Sequence, residues 1–510
     1  MLSRVFSSSI IGIDGYIVEV EIDISRGLPS WEIVGLPDPA VKESRERVRA
    51  AIKNSEFMFP MERITVNLAP ADTKKQGPSF DLPVAVGILA ASEQVKHDKL
   101  HDYVIVGELS LDGKIRPVHG VLPMALAAEH NRFKGMILPH ENAEEAAIVE
   151  KIEVIPVSDL EQVIDFLNDE TAVKAFEIDM DRLFENSDQS RLDFKDVKGQ
   201  ENAKRAMEIA AAGHHNLLMM GPPGSGKTML ARRLPSILPG LDLEEALEIT
   251  KIYSCAGLLP REKALITQRP FRSPHHTISK VSMVGGGKIP RPGEISLSHF
   301  GVLYLDELPE FNKDVLESLR QPIEDGIITI SRVNATLTYP SKFMLVISMN
   351  PCPCGFFSDP TKECRCSPYQ IQRYLGKLSG PLMDRIDLHV EVAAVKYRDL
   401  EGGADGESSA SIKKRVEAAR EVQLKRFKRS SIFFNSQMSP GQIQKYCQLD
   451  TGGRQLLENA FKHLGLTARS YNRILKVSRT IADLDSSEKI KEHHIAEALQ
   501  YRDVVGKLRL

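Results

Sequence analysis

Eight consecutive residues, Gly221-Pro222-Pro223-Gly224-Ser225-Gly226-Lys227-Thr228, fit the pattern G-x-x-x-x-G-K-[ST] at every fixed position. Glycines at that spacing let backbone N–H groups turn inward and cradle phosphates at a helix N-terminus. Lys227 then reaches the β- and γ-phosphates of ATP, and Thr228 ligates Mg²⁺. The second constellation is Gly301–Glu307, GVLYLDE. An apolar strand that ends in two acids delivers carboxylates to the sheet edge where α/β proteins bind ligands. Asp306 would hold Mg²⁺, mainly through water, and Glu307 would polarise the water that attacks the γ-phosphate. A third apolar run, Phe343–Met349, ends in Asn350. Its amide can orient that water.

Of the six cysteines, Cys352, Cys354, Cys364 and Cys366 form two C-x-C pairs around a polar loop. Four thiolates can close a tetrahedral structural Zn²⁺ site. The C-x-C spacing is tighter than the usual C-x₂-C, and four reduced cysteines in a loop are the other reading. Cys255 and Cys447 stand alone and read as structural. Lys263–Pro292 carries Lys263, Arg269, Arg272, Lys280, Lys288 and Arg291 with no acid, and Gly326–Lys342 reads as a hairpin carrying Arg332 and Lys342. Such loops suit phosphate contacts that ignore base sequence. Lys280, Lys288, Arg291 and Arg332 are the DNA-binding candidates. Ile412–Arg429, with eight Lys/Arg and two Glu, reads as a basic outer helix or a wet face. His275 and His276 lack an obvious third metal ligand and stay unassigned.

These residues need elements to position them. The chain has 510 residues, 42% hydrophobic and 26% charged, with net charge −3. That excludes a wholly disordered or fibrous chain, and it confines nucleic-acid binding to local patches. At roughly 100–200 residues per domain, about three domains are expected. Val18–Ile24 alternates strictly and reads as a half-buried strand; Arg63–Leu68 is another; Phe80–Ser92 fits a buried helix. Gly120–Glu129 and Glu141–Val149 read as helices, with short strands at Tyr103–Val106, Met136–Pro139 and Val154–Pro156. The resulting division is an α+β domain over 1–170, an acidic linker over 171–192, an α/β domain over 193–395 that contains the cysteine insertion 352–366, and a helical domain over 396–510. Asn216–Met220, Gly301–Leu305 and Phe343–Met349 alternate with helical stretches, which indicates a parallel sheet with both faces covered. Leu400–Ser411 reads as a loop. No run approaches the roughly 18 apolar residues of a membrane helix, and no long signal-peptide core is present, so the protein is expected in the cytoplasm.

The motifs together resemble the AAA+ ATPases, and within them the magnesium-chelatase-like branch. The likeness is closer still to the ComM family of bacterial proteins. It spans essentially the whole chain and rests on long phrases: VNLAPADTKKQGPSFDLPVAVGILAAS (67–93), DFKDVKGQENAKRAMEIAAAG (193–213), RPFRSPHHTISKVSMVGGGKIPRPGEISLSHFGVLYLDELPEF (269–311), MNPCPCG (349–355), SGPLMDRIDLHVEV (379–392) and LTARSYNRILKVSRTIADL (466–484). The resemblance implies a homo-hexameric ring with ATP between subunits, a helicase that drives branch migration of recombining DNA in natural transformation, and recombination proteins as further partners. It implies that Arg385 is an arginine finger acting on the neighbour's ATP, and that Arg469, or Arg473 one turn on, is the sensor of the helical lid.

The first domain resembles the S5-like proteolytic domain of Lon. Ser79 stands where that family keeps its nucleophile, but Leu122 stands where its lysine is expected. A serine without its base is not activated, so a scaffolding role is expected. Two alternatives follow from the same residues. One is a motor subunit for porphyrin metalation, against which the cysteine cluster and the Lon-like domain argue. The other is an ATP-dependent protein remodeller or protease.

Overall fold

The computed structural model describes residues 1–185, 192–260, 263–287, 290–332, 335–357, 359, 362–394, 406–428, 430, 432–464 and 466–502. The chain forms two compact units: Met1–Ser187 with Leu243–Thr267, and Asp188–Asp242 with Gln268–Leu510. The segment Leu243–Thr267, inside the ATPase domain of the sequence-based division, clusters with the first unit. Its helix Leu243–Ala256 buries Ala246, Ile249, Ile252 and Ser254, and the Ser254 hydroxyl donates to the buried Glu145 carboxylate. None of the described helices is long and apolar enough to cross a membrane.

The first unit is built on a seven-stranded sheet. Its strands are β1 (Leu2–Ile11), β2 (Asp14–Ser25), β3 (Ser30–Val34), β4 (Arg63–Ala69), β5 (Tyr103–Ile105), β6 (Gly135–Pro139) and β7 (Glu153–Val157), in the spatial order β3-β4-β2-β1-β5-β6-β7. β2 pairs antiparallel with both β1 and β4, while β5, β6 and β7 run parallel. The alternation read in the sequence sets the register: Val18, Val20, Ile22 and Ile24 are buried, and Asp23 is exposed. Helix Asp81–Ala91 is buried along its full length, and each large aliphatic side chain it contributes is worth about 1.5–3 kcal/mol of transfer free energy. Its one charge, Asp81, accepts from Arg47 Nε at 2.8 Å and Nη2 at 3.1 Å, which is how a buried carboxylate is tolerated. Part of the expected linker belongs to this unit. Val173 and Ala175 pack on its core, and the Phe176 N–H donates to Val154 O on the outer edge of β7.

The second unit centres on a parallel sheet in the order β9-β10-β11-β8-β12, where β8 is Leu217–Met220, β9 Phe271–Arg272, β10 Val302–Leu305, β11 Met344–Met349 and β12 Leu388–Glu391. β8, β10 and β11 are buried at every residue, as covered parallel strands must be. One hydrophobic cluster joins this sheet to helices Ser409–Phe427, Ala468–Leu484 and Glu492–Gln500, so the expected ATPase and helical domains share a core. Asp483, 0% exposed, is neutralised by Arg426 and Arg479. Of the loop read at Leu400–Ser411, residues 400–405 lie outside the described ones, and the helix begins at Ser409.

Candidate nucleotide site

β8 runs into the glycine-rich loop, and the Gly221 N–H donates to Met349 O of β11 at 3.2 Å, which pins the loop to its neighbouring strand. Gly226 has φ +87°. That left-handed turn admits glycine freely and starts helix Lys227–Arg233. Lys227 Nζ donates to Gly221 O at 2.7 Å, Pro222 O at 2.9 Å and Asn350 Oδ1 at 3.2 Å. Burial lowers the Lys227 pKa, and Asp306 and Glu307 oppose that shift. The ammonium therefore sits over the loop on bonds that an anionic phosphate can replace.

Thr228 Oγ1 donates to Asp306 Oδ2 at 2.8 Å. The other oxygen, Oδ1, accepts from Ser348 Oγ and from the Glu307 N–H at 3.1 Å. Glu307 is exposed and has φ +54°, a conformation that costs a side-chain-bearing residue about 1 kcal/mol or more and recurs at functional sites. The structure thus brings Lys227, Thr228, Asp306 and Asn350 into one hydrogen-bonded group with Glu307 adjoining. Two members were missed in the sequence. Tyr304 and Ser348 sit inside apolar strands, and Tyr304 OH donates to Ser348 Oγ at 2.8 Å. Burial, first of all, raises the Tyr304 pKa and keeps the phenol a donor. The available signal was a polar residue in each otherwise apolar run.

The two arginines lie elsewhere. Arg385 pairs with Glu324, donates to Pro381 O, and is only 13% exposed. Arg469 is 70% exposed, 3.7 Å from Asp384, and Arg473 donates to Ile386 O at 2.5 Å. All three gather on the Asp384–Asp387 turn and none bonds to the glycine-rich loop. Asn216 also clasps that turn through Arg385 O at 2.9 Å.

The four clustered cysteines converge. Cys352 Sγ lies 3.3 Å from Cys354 Sγ and 3.7 Å from Cys364 Sγ, Cys354 Sγ is 3.6 Å from Cys364 Sγ, and all four sulfurs lie within 4.8 Å of one another. A tetrahedron with Zn–S bonds of about 2.3 Å has edges of about 3.8 Å, so the donor set fits that ion. The knuckle abuts the glycine-rich loop: a Cβ on Gly355 would stand 2.3 Å from Pro223 Cδ. Cys255 and Cys447 are each pushed up to about 12 by burial, which makes them inert thiols.

The basic segments sort by partner. Arg269 donates to Pro239, Phe300 and Gly240 carbonyls, and Arg272 grips Glu294 at 2.6 and 2.7 Å; both brace the fold. Lys280 and Arg291 are exposed. Lys288 and the Arg332 side chain lie outside the described residues. The hairpin is present as Ile327–Arg332 paired with Ala335–Pro340. On helix Ser409–Phe427 the arginines turn inward: Arg415 to Glu208 and Glu407, Arg426 to Asp483, and Arg420 to Phe433 O and the Phe434 ring. In the first unit, Ser79 is 7% exposed and Leu122 is fully buried, its N–H donating to Glu145 at 2.8 Å.

Three models of magnesium chelatase subunit ChlI match in succession: a ChlI model over residues 20–142, the main magnesium chelatase model over 193–400 and its C-terminal model over 406–502. The chain is 46% identical over 512 residues to competence protein ComM of Haemophilus influenzae, covering 100% of this chain and 99% of the relative. The chain belongs to the ComM-type, magnesium-chelatase-related ATPases. Within this family it is also 45% identical to an uncharacterized protein, YifB, of Escherichia coli over 99% of this chain and 97% of that one. Lon protease 2 of Bacillus subtilis is 26% identical over 188 residues, 33% of each chain. The mixed α/β fold, with the AAA+ parallel sheet and the Lon-like first unit, agrees with the fold read from the sequence.

Proposed function

We propose that this ATPase is a DNA motor: a homo-hexameric helicase that drives branch migration of recombining DNA in natural transformation. The observation that carries the enzymatic part is the joint placement of Lys227, Thr228, Asp306, Glu307 and Asn350 at one sheet edge. The DNA and pathway parts rest on similarity to a competence protein along the whole chain, and on the exposed Lys280 and Arg291.

Thr228 and Asp306 offer oxygen donors, the set that Mg²⁺ prefers. When bound, Mg²⁺ offsets charge on the β- and γ-phosphates of ATP. Lys227 leaves its loop carbonyls for the phosphates, Asn350 and Glu307 hold the attacking water, and Glu307 accepts its proton. Arg385 leaves Glu324 to stabilise the γ-phosphate of a neighbouring subunit's ATP, with Arg469 beside it. Cys352, Cys354, Cys364 and Cys366 hold Zn²⁺ as a structural clip. Lys280, Lys288, Arg291 and Arg332 track DNA phosphates, and the motor works in the cytoplasm with recombination proteins.

The test is ATP turnover with single-stranded, duplex and four-way-junction DNA. Strong stimulation by the junction, lost when Lys280, Lys288 and Arg291 are reversed to Glu while basal turnover survives, supports the motor. Stimulation by unfolded polypeptide and not by DNA would replace it with a protein remodeller. Metal insertion into a porphyrin with partner subunits would replace it with a chelatase motor, the reading that the family models' descriptions favour.

A further inference from the structure

We propose that Tyr304 and Ser348 are positioning residues of the nucleotide site: a hydrogen-bond relay from Tyr304 through Ser348 to Asp306, whose other oxygen accepts from Thr228, presets the oxygen donors for a divalent cation. The proposal rests on the reading that Thr228 and Asp306 hold Mg²⁺.

Tyr304 OH donates to Ser348 Oγ at 2.8 Å and lies 3.4 Å from Thr228 Oγ1; Ser348 Oγ donates to Asp306 Oδ1; Thr228 Oγ1 donates to Asp306 Oδ2 at 2.8 Å. Proton directions are mutually consistent. The Ser348 and Thr228 protons both go to the carboxylate, so the Ser348 oxygen is left to accept the phenol proton. The Thr228 oxygen keeps a lone pair for a cation. Parallel pairing of β10 with β11, with Tyr304 opposite Val346, places the two strands in register for this.

Packing alone does not call for these hydroxyls. Tyr304 and Ser348 are the only residues with polar side chains in VLYL and MLVISM, and they are 1% and 0% exposed. Phe and Ala would fill the same strands without a hydroxyl to satisfy, and an unsatisfied buried hydroxyl costs about 1–3 kcal/mol. What the hydroxyls add is a second anchor: Ser348, itself held by Tyr304, fixes Asp306 Oδ1 while Thr228 holds Oδ2. Groups that orient metal ligands in this way typically change metal affinity by about 10–100-fold when removed.

The experiment measures binding of a fluorescent ADP analogue by the full chain, in chelator and across a Mg²⁺ titration, with thermal melting alongside. Tyr304→Phe and Ser348→Ala should keep chelator-phase affinity within about twofold and raise the Mg²⁺ half-saturation about tenfold. Ser348→Thr, which keeps the hydroxyl, should restore it. Wild-type Mg²⁺ dependence in both Tyr304→Phe and Ser348→Ala would overturn the proposal, as would an equal loss of affinity with and without Mg²⁺. Should Ser348→Ala fail to fold, Tyr304→Phe decides, because it keeps the ring in place. Asp306→Asn is the control for the underlying reading: if it too responds normally to Mg²⁺, the Mg²⁺ assignment fails, and the relay's role falls with it.

Discussion

Two turns in this molecule share a design and differ in chemistry. Gly77 at φ +84° leads into Ser79 and helix Asp81–Ala91; Gly226 at φ +87° leads into Thr228 on helix Lys227–Arg233. Each puts a hydroxyl at a helix start. At Thr228 the neighbouring strand tips deliver a carboxylate and an amide, and Lys227 beside it on the helix adds an ammonium. At Ser79 the residue at the lysine position is the buried Leu122, and the nearby charge, Asp81, is already paired with Arg47. A turn supplies a place for chemistry; the tips of adjacent strands decide whether chemistry occurs there.

The sharpest break of that comparison is a pair of substitutions. Lys227→Ala should abolish nucleotide binding and hydrolysis in a folded protein, whereas Ser79→Ala should leave ATP turnover unchanged. Casein cleavage that is lost in Ser79→Ala and persists in Lys227→Ala without ATP would reverse the contrast. Arg385→Ala should lower turnover by about 10³-fold or more, the worth of an arginine finger. Mixed with Lys227→Ala subunits it should regain partial activity; no recovery at any mixing ratio counts against action in trans. Glu307→Gln should retain ATP and slow hydrolysis about 10²–10³-fold, and a wild-type rate would remove Glu307 from the water-activating role.

Smaller effects probe what surrounds the second turn. Cys364→Ser should release zinc, measured at one ion per chain in the parent protein, and loosen the knuckle that rests on Pro223, raising the KM for ATP severalfold; protein purified without chelator and free of zinc would end that argument. The smallest effect concerns pH. Burial first, then Arg269 and Arg420, lowers the His214 pKa to about 3 from an ordinary 6.5. A depressed histidine favours the folded state above its unfolded pKa, and that contribution is lost as pH falls from 6.5 toward 3. Stability measured by denaturant should decline over this window. His214→Asn, which tolerates the left-handed backbone at φ 54°, should flatten the decline.

The second turn was legible in the sequence because its chemistry is local: Gly221–Thr228 and Asp306-Glu307 carry their meaning in adjacent residues. What escaped depends on distant partners. β1 contains Ser7, Ser8 and Ser9, a polar run with no strand alternation, yet all three are buried in a strand, and Ser8 Oγ donates to Tyr16 O on the paired strand. β12, Leu388–Glu391, is too short to show a period. Tyr304 and Ser348 gain their meaning only when β10 and β11 lie side by side. Arg269, Arg272 and Arg415 looked like parts of basic patches because sequence gives charge without orientation. The helix Leu243–Ala256 has the same apolar spacing whichever unit it joins, so nothing local could tell that it belongs with residues far upstream.

That last placement has a bearing on how the protein is made. A nascent chain that has emerged only as far as Ser187 holds all seven strands of the first sheet but not the helix Leu243–Ala256, which packs on helix Val121–His130. Glu145 must wait, buried-side exposed, until Ser254 arrives. At a synthesis rate of about 5–20 residues per second, the wait lasts several seconds, during which the glycine-rich loop is itself being translated. The first unit therefore cannot be completed ahead of the nucleotide-binding segment, and a gene fragment ending near codon 187 would encode that unit without the helix that meets Glu145.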